Sequence, residues 1–358
     1  MKSIHLPRFT SVLAALLAAF PLVAGAAPFR DVLDTPAKDS RLASRSLLNA
    51  VARAGKRLVA VGQRGHIIFS DDGGNSWRQA KVPVSADLVA VSFPTPQKGW
   101  AVGHDGVVLH SEDGGISWTK QLDGRAVGKL MVSYYEERAA KGSLTSPEAA
   151  LLDETRRIAS QGAENSFLDV WFANESTGFI VGAFNLIFRT ADGGRTWEPW
   201  FHRTENPKRL HLYAIREAAG ELYISGEQGI VLKLDQSRNR FVALNTGYGG
   251  TFFGLAGSDD AVIVYGLRGN AFRSTDGGKQ WHKIEAGLQD GITGAASCGG
   301  RQLILVSQSG HVLASDDAGE NFRHTKLEQA VPASAALCIG GNVAVIAGTR
   351  GITIQAFK

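Results

Sequence analysis

One eight-residue phrase recurs along this chain, and it limits the possible folds more than any other feature. It reads SDDGGNSW at residues 70–77, SEDGGISW at 111–118, TADGGRTW at 190–197 and STDGGKQW at 274–281, with a worn copy, SDDAGENF, at 315–322. Ahead of each copy stand an apolar strand, a second strand ending in a small residue, a tight turn and a third strand, as in LVAVSF, GWAVG and GVVLHS. The central pair aligns seven times, from LVAVGQRGHIIFS to VAVIAGTRGITIQ. Corner aromatics fall at Trp77, Trp118, Trp197, Phe241, Trp281 and Phe322. Their spacing is about 40 residues, doubled once between Trp118 and Trp197, and four short strands per unit of that length predict an all-β, seven-bladed β-propeller.

Two departures from the repeat refine this expectation. The last copy has no fourth strand, while PFRDVLDT (28–35) precedes the first, so this N-terminal segment is expected to be the strand that closes the last blade. The doubled interval holds an insertion at about 124–166, where Val127, Leu130, Met131 and Tyr134 recur at helical spacing. Its second half offers Ser146 as a cap, Pro147 at the first helical position, and Leu151, Leu152 and Ile158 on one side. The reading is a helical hairpin between blades two and three.

The chain opens with a basic start, the apolar run SVLAALLAAFPLVA and a small-residue Ala24-Gly25-Ala26. That is the layout of a secretory signal peptide, residues 1–26, leaving one propeller domain at 27–358. No later stretch is long enough to span a membrane. Export to a periplasm, or to a compartment equivalent to a thylakoid lumen, follows as an expectation. Of 38 basic and 34 acidic residues, Lys2 and Arg8 leave with the leader. The remaining surplus of two is too small for general attraction to nucleic acid or anionic lipid. Cys298 and Cys338 sit at equivalent places in successive repeats; equivalent residues point the same way, which argues against a bond but leaves pairing open.

The phrase S-x-D-x-G-x-x-W is the Asp-box, or BNR repeat. Its Ser and Asp side chains can bond nearby backbone and its glycines supply positive φ. Asp72, Asp113, Asp192, Asp276 and Asp317, with their aromatics, therefore read as structural corners. The later acidic ligands of a calcium loop are missing, so no metal and no cofactor are expected. A carbohydrate-active enzyme, sialidase-like or glycosidase-like, or a lectin is the alternative reading. Glycosidases need two carboxylates across one cleft; Glu136 and Glu137 are adjacent and would diverge on a helix. No catalytic residue is assigned.

The turns between second and third strands point away from the corners. Their tips read Arg64, Asp105, Phe184, Gln228, Arg268, Ser309 and Arg350. The link into blade one adds Lys38, Arg41 and Arg45 to the same face, and the link into blade four adds His202, Arg203, Lys208, Arg209 and His211. Arginine suits bidentate capture of carboxylates. Arg64, Arg268, Arg350, Arg41, Arg45 and Arg209 are thus candidate partner-binding residues.

With its repeated VGxxGxIxxSxDGGxxW units, LRGNAFRSTDGGKQW around Arg268 and GTRGITIQ around Arg350, the chain resembles the photosystem II stability and assembly factors. These are seven-bladed BNR propellers of the thylakoid lumen. The resemblance implies a non-enzymatic chaperone that holds a membrane-protein precursor by an arginine-rich face, with Arg64, Arg268 and Arg350 in contact with the partner. The helical insertion and the simple secretory leader, with no lipobox, depart from the photosynthetic pattern. They open the possibility of another envelope complex or an exporter as partner. The expected protein is a monomer that binds an extracytoplasmic segment of a membrane protein, does not span the membrane itself and does not bind nucleic acid.

Overall fold

Period-two strands that bury both faces need sheets on either side, and a ring of blades provides them. The computed structural model describes residues 30–142, 145–325 and 330–357, so the leader at 1–26 lies outside the described residues. The first, innermost strands are Leu48–Ala54, Leu88–Ser92, Phe167–Phe172, Leu212–Ala218, Phe252–Gly257, Ile292–Gly299 and Ala333–Gly340. Each begins an antiparallel up-and-down sheet; among the described residues six sheets have four strands and the seventh has three. Successive first strands touch one another, and the first strand of blade seven touches that of blade one, so the ring closes.

The packing repeats with the sequence. Among the described residues the buried apolar side chains form seven clusters, one between each pair of adjacent blades. Each corner aromatic enters the cluster it shares with the preceding blade, as Trp118 does with blade one and Trp197 with blade two. The axis is left as a channel of about 440 Å³ lined by the first strands. Within it Asp169 of blade three accepts the Ile215 N–H of blade four at 2.8 Å and contacts the Arg216 guanidinium.

The insertion is helical, as expected. Helix α1 spans Gly124–Ala140 and α2 spans Ser146–Gln161. Asp123 caps α1 by accepting the N–H groups of Arg125 and Ala126. Val127, Met131 and Ile158 are buried in the cluster between blades two and three. The cap of α2 lies one residue earlier than the sequence suggests. Thr145, not Ser146, is the N-cap, because Glu148 reaches back to its N–H at 2.8 Å and completes a capping box. No helix among the described residues is long and apolar enough to cross a membrane.

Two expectations are corrected. The N-terminal segment does not form the fourth strand of blade seven. Among residues 30–35 there is no strand; Val32 accepts Ser85 N–H at 2.8 Å, and Ala37 N–H donates to Val82 O at 3.1 Å, over the link between blades one and two. Buried Leu33 and the two-pronged Arg125–Asp34 pair (2.8 and 2.9 Å) hold it there. The cysteines do pair. The inner strands of blades six and seven lie side by side, which brings Cys298 and Cys338 to a Cα separation of 5.1 Å, within the range a disulfide spans.

Candidate functional site

The corners are built as closed hydrogen-bond circuits. Ser70 Oγ donates to Asp72 Oδ1 at 2.7 Å and accepts Gly74 N–H at 2.8 Å. Asp72 Oδ1 also accepts Ser76 N–H at 2.9 Å, and its Oδ2 accepts the Ser76 hydroxyl. Gly73 and Gly74 follow with φ of 72° and 95°, which only glycine adopts without strain. The bonds from the Ser76 hydroxyl, Ser76 N–H and Ser70 hydroxyl hold Asp72 down at about 2. Both carboxylate oxygens are thus committed to the turn. The bonds to Oδ1 recur at Asp113, Asp192, Asp276 and Asp317, and the side-chain bond to Oδ2 recurs at Asp113, Asp192 and Asp317.

The opposite face is organised by another repeated bond. The first residue after each second strand donates its N–H to the carbonyl just before the first strand of the same blade. The pairs run Gln63 to Leu47, His104 to Asp87, Ala183 to Ser166, Glu227 to His211, Leu267 to Thr251, Gln308 to Gly291 and Thr349 to Pro332, at 2.9–3.2 Å. Tips and links therefore form one stitched surface. At five tips the middle residue adopts left-handed backbone: Arg64, Asp105, Phe184, Gln228 and Arg268, with φ of 51–56°; all but half-buried Asp105 are exposed.

Arg64, Arg268, Arg350, Arg41 and Arg45 are exposed, and among the described residues none has a carboxylate within ion-pair distance. Four of the five gather in one sector. The turn carrying Arg350 abuts the Ala43–Arg45 turn, with Gly351 packed on Ser44 O and the Arg45 backbone. Ser46 Oγ lies 3.3 Å from His66 Nδ1, beside Arg64. Arg268 stands apart on blade five, beyond the Ser309 tip of blade six. Arg209 is half-buried and paired with Glu154 of α2 at 3.0 Å.

Of the apolar side chains of this face, the sequence pointed to Phe184 alone. Val32, Leu42, Phe184 and Leu267 are four of the six exposed large hydrophobics among the described residues. Leu42 lies beside Arg41, and Leu267 beside Arg268; that adjacency was the available signal. A depression of about 280 Å³ lies between the link into blade four and that blade's tip, with Lys208, Gln228 and Tyr248 in its wall.

The insertion is docked beside this face through blade three. Tyr134 hydroxyl donates to Glu198 at 3.0 Å, and Tyr135 hydroxyl meets His202 Nδ1 at 3.2 Å. Burial, reinforced by the charge of Arg138, lowers His202 to about 4. The adjacent carboxylates Glu136 and Glu137 do diverge: one pairs with Arg156 at 2.9 Å and the other with Lys141. No group of three or more potential metal ligands converges among the described residues.

Comparison with known proteins places this architecture. Residues 35–132 and 151–251, together more than half of the chain, match the family model described as Photosynthesis system II assembly factor YCF48. The gap between the two matches falls within the helical insertion. A photosystem II assembly lipoprotein Ycf48 of Synechococcus sp. (strain CC9902) is 25% identical over 199 residues, 52% of this chain and 57% of that protein. Its counterpart from Prochlorococcus marinus is 27% identical over 128 residues, 35% and 38% of the two chains. The chain thus spans little more than half the length of these curated relatives, or less. Among solved structures, "YCF48 bound to D1 peptide" superposes with a TM-score of 0.64 at 16% identity, covering 88% of this chain and 94% of that one. YCF48 from Cyanidioschyzon merolae gives 0.60 at 15%, covering 88% and 96%. The WD40 repeats of RRP9 give 0.61 at 8%, covering 90% and 97%, so structural likeness at these identities speaks for the propeller fold alone. The family rests on the matched sequence, and by it this chain belongs to the photosystem II assembly factor YCF48 family.

Proposed function

We propose that the protein is an exported, non-enzymatic assembly factor that holds an acidic extracytoplasmic segment of a membrane protein against its tip face. The observation that carries this reading is the set of exposed arginines, Arg64, Arg268, Arg350, Arg41 and Arg45, without carboxylate partners among the described residues. An unpaired guanidinium breaks no internal ion pair on binding and offers two parallel N–H donors to a carboxylate. Exposed Leu42 and Leu267 beside them supply apolar contact. A propeller relative solved with a D1 peptide supports a membrane-protein precursor as the class of partner. The leader at residues 1–26 would deliver the domain to a periplasm or a lumen-like compartment. The partner would be a photosystem or another envelope complex, an exporter included.

The test is an affinity capture from solubilised envelope with wild type and with the combined variant Arg64→Glu, Arg268→Glu and Arg350→Glu. A membrane protein held by wild type and lost from the variant supports the reading. Equal recovery by both overturns it.

A further inference from the structure

Among the described residues, blade seven has an open edge. Its third strand, Gly351–Ala356, pairs inward along its whole length, from Gly348↔Gly351 to Val343↔Ala356. Phe357 N–H then donates to Asn342 O at 2.8 Å. Antiparallel pairs alternate between bonded and non-bonded, so the N–H and C=O groups of Ile352, Ile354 and Ala356 face outward. Among the described residues no strand pairs with them.

Side chains record the same gap. Ile354, opposite Val345, is 40% exposed, whereas the residues at its register position in the other six blades, Phe69, His110, Arg189, Lys233, Arg273 and Ala314, are buried or half-buried. The neighbouring corner is also less covered. Gly74 is half-buried, while its equivalents Gly115, Gly194, Gly278 and Gly319 are buried. At two of these corners the fourth strand of the preceding blade supplies the cover, as Gln121 does over Gly194 and Leu244 over Gly278. The nearest side chains over Gly74 are Ile354 and Leu58.

We propose that this edge is a strand-acceptor site, which takes an extended segment of the partner as the fourth strand of blade seven. Such a segment is apolar at alternate positions, to cover Ile354 and Trp77, and bonds the outward groups of Ile352, Ile354 and Ala356. Added antiparallel, like the fourth strands of the other six blades, it runs toward the tip face. Its C-terminal end arrives at Arg350, Arg45, Arg41 and Arg64, so that end is acidic. The chain's own residues 31–37 are held instead over the link between blades one and two by Ser85, Val82 and Arg125. Only the acidic end of the segment rests on the function proposed above; the edge itself does not.

The probe is a fluorescent peptide of about ten residues, a typical strand length with a short tail, alternating valine and threonine and ending in two aspartates. It is titrated by anisotropy into the full chain. Binding should weaken about tenfold or more in Ile354→Lys, the loss expected when the apolar contact of one isoleucine is removed. It should also weaken in Arg350→Glu, be unchanged in Arg268→Glu, and vanish when alternate valines of the peptide become proline. Amide exchange at Ile352, Ile354 and Ala356 should be fast in the free chain and slow in the complex. No binding by wild type, or binding indifferent to both Ile354→Lys and the proline peptide, overturns the proposal. So does slow exchange in the free chain, which would mean that its own N-terminal residues or a second copy already cover the edge. If the envelope partner is lost on Arg268→Glu while the peptide never binds, the edge fails and the arginine face stands. If the peptide binds and needs Ile354 while the triple glutamate variant keeps its envelope partner, the reverse holds.

Discussion

Arg209 of the link into blade four lies 3.0 Å from Glu154 of α2, and so ties the insertion to the ring. Glu154 is only 14% exposed and is also held by Arg157 at 2.6 Å, which with Arg209 lowers its pKa. Arg209→Ala should therefore release α2 by about 1 kcal/mol, the upper range for a half-exposed pair. The measurement is amide exchange, expected to quicken across α2 while the melting of the ring stays unchanged.

The corner aromatics should not be equal. Trp197 is buried and meets Phe172 edge-on with ring centroids 6.1 Å apart. Trp197→Ala should cost about 3–5 kcal/mol, the transfer of a large ring plus the cavity it leaves. Trp77→Ala should cost less, because Trp77 is half-buried and no fourth strand stands on its blade-seven side among the described residues. Urea titrations of the two variants would rank them, and equal losses would contradict the packing argument.

Acid should act on the protein in two windows. Half-buried His202 accepts from Arg203 and is held neutral, at about 4 instead of 6.5. A group depressed in this way contributes stability that is full above its unfolded value and lost as pH falls. The docking of α1 should thus weaken from pH 6.5 toward 4. The corner carboxylates come next: Asp72 and Asp317 sit at about 2 rather than 3.8. For Asp317, partial burial works against this and the Asn321 bonds outweigh it. Their contribution should disappear between about pH 4 and 2. Amide exchange in α1 would follow the first window and circular dichroism of the ring the second; His202→Asn should remove only the first.

The Cys298–Cys338 bond closes a loop of 40 residues between blades six and seven. Chain-entropy arguments value such a loop at about 4 kcal/mol. Reduction, or Cys298→Ser with Cys338→Ser, should lower the urea midpoint by a corresponding amount without altering the native β signal.

The ring was readable from the sequence because its information is periodic. Seven alternating strand pairs, the corner aromatics and one doubled interval are local patterns, and local patterns survive in one dimension. What escaped depends on placement around a circle. Cys298 and Cys338 look parallel when repeats are aligned, yet equivalent residues on adjacent inner strands are neighbours. Residues 28–35 stand where the repeat count leaves a closing strand to be supplied, but Leu33 found a buried seat and Asp34 found Arg125 on the insertion. The insertion lies outside the repeat, so no periodic argument could show that Arg209 would be captured by it. Of the remaining arginines, four proved to share a sector because the chain's beginning and end meet there. Arg268 did not.

The left-handed tips hold one consequence more. Arginine, aspartate, phenylalanine and glutamine all take the same φ, within 51–56°, at equivalent positions of five blades. Each non-glycine residue there bears about 1 kcal/mol of backbone strain whatever its side chain, and the surrounding stitches absorb it. The scaffold is therefore indifferent to spelling at these sites. A lineage can rewrite the text of its recognition surface one character at a time, and the page it is printed on stays flat.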